Sequence, residues 1–319
     1  MTADSPTGPE GADETSPALS AGEAPGPYPR KPLWVRSLLW LIALTIMAAA
    51  VIYQRRTGPT YPLRGQFTIE GTAYRYRLIR SEWTTDDAKV IIPAPGEGVE
   101  ATLHWRRYPT QEPLQEVQFT TEGDELTALL PAQPAAGKLE YHVIVRQGEK
   151  TIRIPESAEE NVIIRFKDPV PGYVLWPHII MMFFSVLIGM RAGLAALFAP
   201  GGMRRYAWIA FAGMTVGGMI LGPIVQKYAF GAYWTGFPWG GDLTDNKMLI
   251  MWVAWLSACG AIGLHRRKKE GVGRAVVVVA SIVMTVVYLI PHSMRGSELD
   301  YSQVEQGVDP SRAIGTGEE

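Results

Sequence analysis

Five stretches of this chain are too apolar and too long to lie on the surface of a water-soluble domain: Leu38–Tyr53, Val170–Met190, Tyr206–Gln226, Met248–Leu264 and Ala275–Ile290. Each approaches the roughly 20 residues that a helix needs to cross a bilayer, the last two by borrowing flanking residues. Inside hydrocarbon no water satisfies backbone N–H and C=O groups, so a continuous apolar run must pair them within itself, as an α-helix does. The expected architecture is therefore a membrane protein with five transmembrane α-helices, one N-terminal anchor plus a four-helix bundle.

The segments between these runs have other periods. Residues 1–32 are rich in Pro, Gly, Ser, Ala and acid and bury too little apolar surface to offset ordering entropy, which predicts a disordered tail. Residues 58–168 hold short runs of alternating polarity, among them "QFTIEG", "AYRYRLIR", "VEATLHWRR", "KLEYHVIVRQG" and "NVIIRFKD", separated by Gly, Pro and acidic turn signals. That pattern predicts an extracytoplasmic all-β sandwich. The stretch "LPAQPAAGKLEYHVIVRQG" resembles the late hairpin of immunoglobulin- or fibronectin-III-like domains, a superfold that carries no function of its own.

Basic residues orient the spans. Arg30, Lys31 and Arg36 precede the first one, and Arg204, Arg205 and the run His265–Lys269 share a side. Retention of Lys and Arg in the cytoplasm puts the N-terminus and these loops inside a bacterial cytoplasmic (inner) membrane. Arg55 and Arg56, at the other end of the first span, oppose the rule but are outnumbered. The periplasmic side then receives the sandwich, the loop 228–247 between spans of the 170–292 bundle, and the C-terminal tail 293–319. A long leader ahead of the first apolar run reads as an uncleaved signal anchor over 33–54, in preference to a signal peptide cut after "AAA".

Composition removes several function classes. The formal net charge of −1 provides no field to neutralise phosphates, so no nucleic acid is expected as a partner. The single cysteine, Cys259, lies in an apolar run, which excludes an intramolecular disulfide, a CxxC metal site and thioether attachment of haem. Phosphate-loop, GxSxG, HExxH and dinucleotide fingerprints are absent from the sequence, so no enzymatic activity is expected beyond a part in electron transfer.

Topology sorts the five histidines. His104 and His142 alternate with apolar residues on predicted strands, and His265 sits in a basic loop; ordinary structural roles suffice for them. His178 in "YVLWPHII" and His292 in "YLIPHSMRG" each follow a proline at the outer end of a span. An ionisable residue at such a depth is costly unless it faces a polar interior, which makes the pair a candidate site. Imidazole ligates haem iron and other metals. With Asp242 or Glu298 the same histidines would supply mixed N and O donors suited to Zn or Cu. Hydration at headgroup level, with no ligand at all, also accounts for them.

The loop between the two histidines reads "GAYWTGFPWGGDLTDNKMLIMWVAWLSACGAIGLH". Trp239, Gly240, Asp242, Lys247, Leu249, Ile250, Trp252 and His265 give it a pattern that resembles the tryptophan-rich WWD segment of cytochrome c assembly membrane proteins. Gly241 stands where that family has a second Trp, and "LTDNK" replaces its Pro-Lys-Glu run. The resemblance implies an external haem-handling surface flanked by two iron-ligating histidines, which His178 and His292 would match. In that reading Trp234, Phe237 and Trp239 stack on a macrocycle of haem b, and Lys247 and Arg295 pair with its propionates. Asp242, Asp245 or Glu298 would hold the histidine ring N–H groups. The aromatics equally suit an interfacial belt, and Asp245-Asn246 a helix N-cap with Lys247 reaching toward water.

Three functions remain in view. The first is haem handling for cytochrome c assembly, or b-type electron transfer linked to periplasmic cytochromes or quinol. The second is a non-catalytic anchor whose sandwich binds other membrane or periplasmic proteins of a respiratory or transport complex. The third is an outer-face divalent metal site.

Overall fold

The computed structural model describes Tyr28 and residues 31–96, 98–157, 160–263, 270–291 and 296–315. The predicted disordered tail, apart from Tyr28 and Lys31–Pro32, lies outside the described residues, as do His265, His292 and Arg295.

The apolar runs form helices α1 (Leu33–Thr57), α2 (Gly172–Phe198), α3 (Met203–Met214), α4 (Gly222–Phe230), α5 (Leu243–Ile262) and α6 (Glu270–Leu289). A π-helical segment, Thr215–Leu221, joins α3 to α4 in one rod. Among the described residues, four units are long and apolar enough to cross a membrane: α1, α2, the rod Pro200–Phe230 and α6. The expected fifth, α5, has the same 20-residue length as α6 but starts one turn earlier than its apolar run, taking Asp245 and Lys247 into the helix.

In the bundle α2 packs against α1, α3 and α6, and α5 packs against α3 and α6. Its core includes the fully buried Trp255, Cys259 and Met284, with Trp255 Nε1 directed at Met284 Sδ at 3.4 Å. Ile180, Phe184, Ile220, Ile250, Val279 and Val286 are exposed on the outside of the bundle. So many large apolar side chains on one surface suit a hydrocarbon solvent far better than water. Small residues set the spacing of the rod from α2. A Cβ at Gly213 would stand 2.2 Å from Ser185 Oγ, and one at Gly217 would stand 2.8 Å from Met181 Cβ.

The β-rich region has two main layers. One is a six-stranded sheet of β3 (Ser81–Trp83), β11 (Val162–Lys167), β9 (Lys138–Gln147), β5 (Val99–Arg107) and β6 (Gln115–Gln118), with β10 (Lys150–Ile154) continuing the β11 edge of β9. The other comprises β4 (Ala88–Pro93), β8 (Glu125–Leu130) and β7 (Thr120–Glu122), beside a hairpin of β1 (Leu63–Ile69) and β2 (Thr72–Leu78). Alternate residues of both layers, such as Ile92, Leu130, Leu103, Tyr141 and Ile164, meet in one core, as period-two strands with one buried face require. The pairing is antiparallel except between β11 and β3, which run parallel.

Register places His104 on β5 directly opposite His142 on β9, and their rings stack 5.0 Å apart at 3°. Burial, then the charge of Arg153 and the His104 neighbour, push the His142 pKa down to about 4; the bond to Asn161 and the field of Glu140 act the other way. In the unfolded chain the group titrates near the ordinary histidine value of about 6.5, so below that pH the unfolded state binds more protons. The neutral ring's contribution is complete above pH ~6.5 and falls as pH drops toward ~4. After discounting for solvent screening of this half-buried ring, that loss should be about 1 kcal/mol. Denaturant unfolding at neutral and mildly acidic pH checks it: His142→Gln should flatten the stability difference by that amount, and an unchanged difference would remove His142 as its source.

Residues 296–315 of the expected tail form a folded element. β12 (Glu298–Leu299) pairs with β13 (Ile314–Gly315), flanking α7 (Tyr301–Glu305). Asp300 caps α7 by accepting from Ser302 N and Gln303 N at 3.0 and 3.2 Å, and Asp309 accepts from Ser311 N at 2.8 Å. Leu299, Tyr301 and Ala313 form a small core. Tyr301 fastens it to the sandwich: its hydroxyl accepts from Lys138 N and donates to Lys138 O, each at 3.0 Å. Glu305 pairs with Arg107.

Candidate functional site

A buried polar cluster lies where the sandwich, the bundle and the tail meet. It starts from the first turn of α5, whose leading N–H groups have no partner within the helix. Asp242 is the N-cap: Oδ1 accepts from Thr244 N at 2.8 Å and Asp245 N at 3.3 Å. The capping role expected at Asp245-Asn246 thus belongs to Asp242, because the helix begins one turn sooner. Its other oxygen, Oδ2, accepts from Thr235 Oγ1 and from Ser297 N, both at 3.0 Å. One carboxylate therefore joins the loop, the helix and the tail.

Asp245 repeats the arrangement one turn on. Its Oδ2 accepts from Thr235 N at 2.7 Å and Gln226 Nε2 at 3.2 Å. Asn246 Oδ1 accepts from Phe237 N at 2.7 Å. These bonds fold the loop Gly231–Asp242 onto the helix start and bring Gly236 so close to α5 that a Cβ there would stand 2.5 Å from Asp245 Cβ. Lys247, 2% exposed, donates to the carbonyls of Ile290 and Pro291 at the end of α6. A cation at a helix C-terminus complements the partial negative charge there.

The sandwich supplies further cations. Lys138, on β9, pairs with Glu298 of the tail. Arg165, on β11, lies over the Phe230 ring at 5.6 Å and feels the fields of Glu298 and Asp242. Burial holds both cations below their ordinary pKa, with Arg165 lowering Lys138 further and the carboxylates Glu298 and Asp242 opposing the shift. Asp168 N donates to Ala229 O at 3.0 Å, tying the end of β11 to the end of α4. Three carboxylates (Asp242, Asp245, Glu298) thus share a desolvated junction with three cations (Lys138, Arg165, Lys247). Buried charge of this kind is tolerated only when paired and hydrogen-bonded.

The residues expected to handle haem separate into groups. Asp242, Asp245, Lys247 and Glu298 belong to the junction, bonded to protein partners other than His178. Trp234 is half-buried and donates from Nε1 to Phe237 O at 3.1 Å. Phe237 and Trp239 are 66% and 79% exposed and stand on the sandwich side of the bundle with the exposed Tyr173, Trp176 and Tyr233. His178 is bonded elsewhere: its Nδ1 meets Gly217 O of the π-helical segment at 2.8 Å. A carbonyl only accepts, so Nδ1 carries the proton, and in the neutral form of the ring Nε2 is the unprotonated nitrogen. Among the described residues, no group of three or more His, Cys, Asp or Glu side chains stands close enough to hold a metal ion.

Thr235, Gln226, Ser297, Lys138 and Arg165 escaped the sequence reading. Gln226, a polar residue closing an apolar run, carried a signal in itself. Lys138 and Arg165 sit in alternating strands, where a charged residue ordinarily faces water, and nothing local marks them as buried. No protein-family model matches the chain, and no curated protein matches it.

Proposed function

We propose that this chain is a multi-pass protein of the bacterial cytoplasmic membrane whose β-sandwich, loop and tail form one rigid platform for a partner protein of a respiratory or transport assembly. In this reading α5 is a fifth span, the N-terminus is cytoplasmic and the platform is periplasmic. The positions of Arg36, Arg204 and Arg205 support that orientation, and the burial of Trp255 between its neighbours supports α5 as a bundle member. The observation that carries the proposal is Asp242, whose single buried carboxylate joins α5, the loop and the tail. Such a junction suppresses independent domain motion, which lowers the ordering cost of binding. The exposed Phe237 and Trp239 offer the aromatic anchors typical of interface centres.

Gentle detergent extraction from native membranes tests the platform. A stoichiometric companion protein should be retained by the wild type and lost by Phe237→Ser/Trp239→Ser. A wild-type protein that purifies alone under every mild condition would end the proposal. A second reading, a haem b site at His178, is favoured by one feature. An Nδ1–H held by a carbonyl, with Nε2 unprotonated, is the state in which imidazole ligates iron. A Soret band in the purified wild type that disappears in His178→Ala would establish that reading over a purely scaffolding one.

A further inference from the structure

At the end of the bundle away from the sandwich, Arg191 of α2 is only 2% exposed, and its Nε and Nη1 have no hydrogen-bond partner among the described residues. Its guanidinium lies over Tyr206 at 4.8 Å and Trp40 at 5.5 Å, two rings that meet edge to face. Aromatic faces attract the charge but do not receive the in-plane N–H groups of the fork. The nearby charge whose field reaches Arg191 has the same sign: it is Arg36, one helical turn before Trp40 on α1. Arg205 adds a third guanidinium, 5.6 Å from the Tyr206 ring. None of the three forms an ion pair among the described residues. Arg191 thus has two enclosed donors without a partner, and the two guanidiniums beside it are exposed, with no carboxylate paired to any of the three among the described residues.

Depth indicates the source of a matching anion. Arg191 precedes Phe198, the last residue of α2, by about 10 Å at 1.5 Å per residue. Arg36 lies within the first turn of α1 and is exposed. In a membrane these positions bracket the boundary between acyl chains and headgroups, where Trp and Tyr also concentrate. A phosphate oxygen pair matches the guanidinium fork bidentately, which a single water does not. We propose that Arg191 and Arg36 hold the phosphate group of an anionic lipid, with Trp40 and Tyr206 as the walls and Arg205 at the rim.

Native mass spectrometry of the full chain in detergent, titrated with phosphatidylglycerol, with diacylglycerol of the same acyl chains, or with inorganic phosphate, tests the site. Phosphatidylglycerol should bind on the order of tenfold or more tighter than diacylglycerol, given what each basic contact adds near an anionic headgroup. Arg191→Met should abolish that preference, and Arg36→Gln should reduce it severalfold. Arg36 is exposed, so its variant keeps the test decisive even where Arg191→Met does not fold. An unchanged preference in Arg36→Gln, or equal binding of the two lipids by the wild type, overturns the proposal. Inorganic phosphate binding as tightly as phosphatidylglycerol overturns the lipid as source and leaves a free-anion site.

Discussion

Replacing Asp242 with alanine should destabilise the folded protein by about 3–5 kcal/mol, the range for breaking a buried, hydrogen-bonded charge cluster. The carboxylate is 5% exposed. Its removal leaves Thr244 N and Asp245 N uncapped and Ser297 N without its acceptor. A lost N-cap alone costs about 1 kcal/mol, and each buried donor left unsatisfied costs about 1–3 kcal/mol. The remainder comes from the cations that lose a counter-charge. Two measurements separate this from a generic surface effect: the unfolding midpoint in detergent, and the rate of tryptic cleavage after Arg312. Both should change together, because Ser297 is the hinge by which Asp242 holds the tail. A variant with native stability and a tail cleaved at the wild-type rate would refute the account of Asp242 as a junction residue.

Glu298→Leu should be nearly as damaging, at about 3 kcal/mol, because it leaves the buried Lys138 ammonium beside Arg165 with its closest counter-charge gone. The two side chains are only 7% and 20% exposed, so solvent replaces little of what is lost. Lys138→Met alone should also destabilise. The double variant Lys138→Met/Glu298→Leu should recover most of the loss, since an apolar pair of similar size avoids desolvating charge altogether. The thermodynamic cycle should give a coupling of about 1–3 kcal/mol. Additive single effects, with no coupling, would mean that the ion pair contributes nothing to holding the tail.

The parts legible in the sequence were those encoded by short-range pattern. Apolar runs such as Val170–Met190 and Ala275–Ile290 announced helices to within a turn or so at most ends, and alternation over 58–168 announced the layered strands. The loop Gly231–Lys247 was conspicuous because Trp, Asp and Lys crowd beside an apolar run. Its chemistry was not legible. Asp242 and Asp245 look alike in sequence, yet one caps α5 and clamps the tail while the other pins Thr235. The fold of the tail had faint signals in Asp300-Tyr301-Ser302 and Asp309-Pro310-Ser311, both capping patterns, but two-residue strands fall below any periodicity.

What the sequence determined alone is which segments can satisfy their backbones in hydrocarbon and which alternate between a core and a surface, because both depend on residues a few positions apart. Tertiary structure decided which charged groups lose water. Lys138, Arg165, Asp242 and Glu298 come from segments up to 160 residues apart, and only their convergence converts ordinary surface charges into a desolvated junction. The same holds for Arg191, a basic residue near a helix end until Trp40 and Tyr206 close over it. Burial of charge is a property of the assembled surfaces, since its energy depends on every neighbour that excludes solvent.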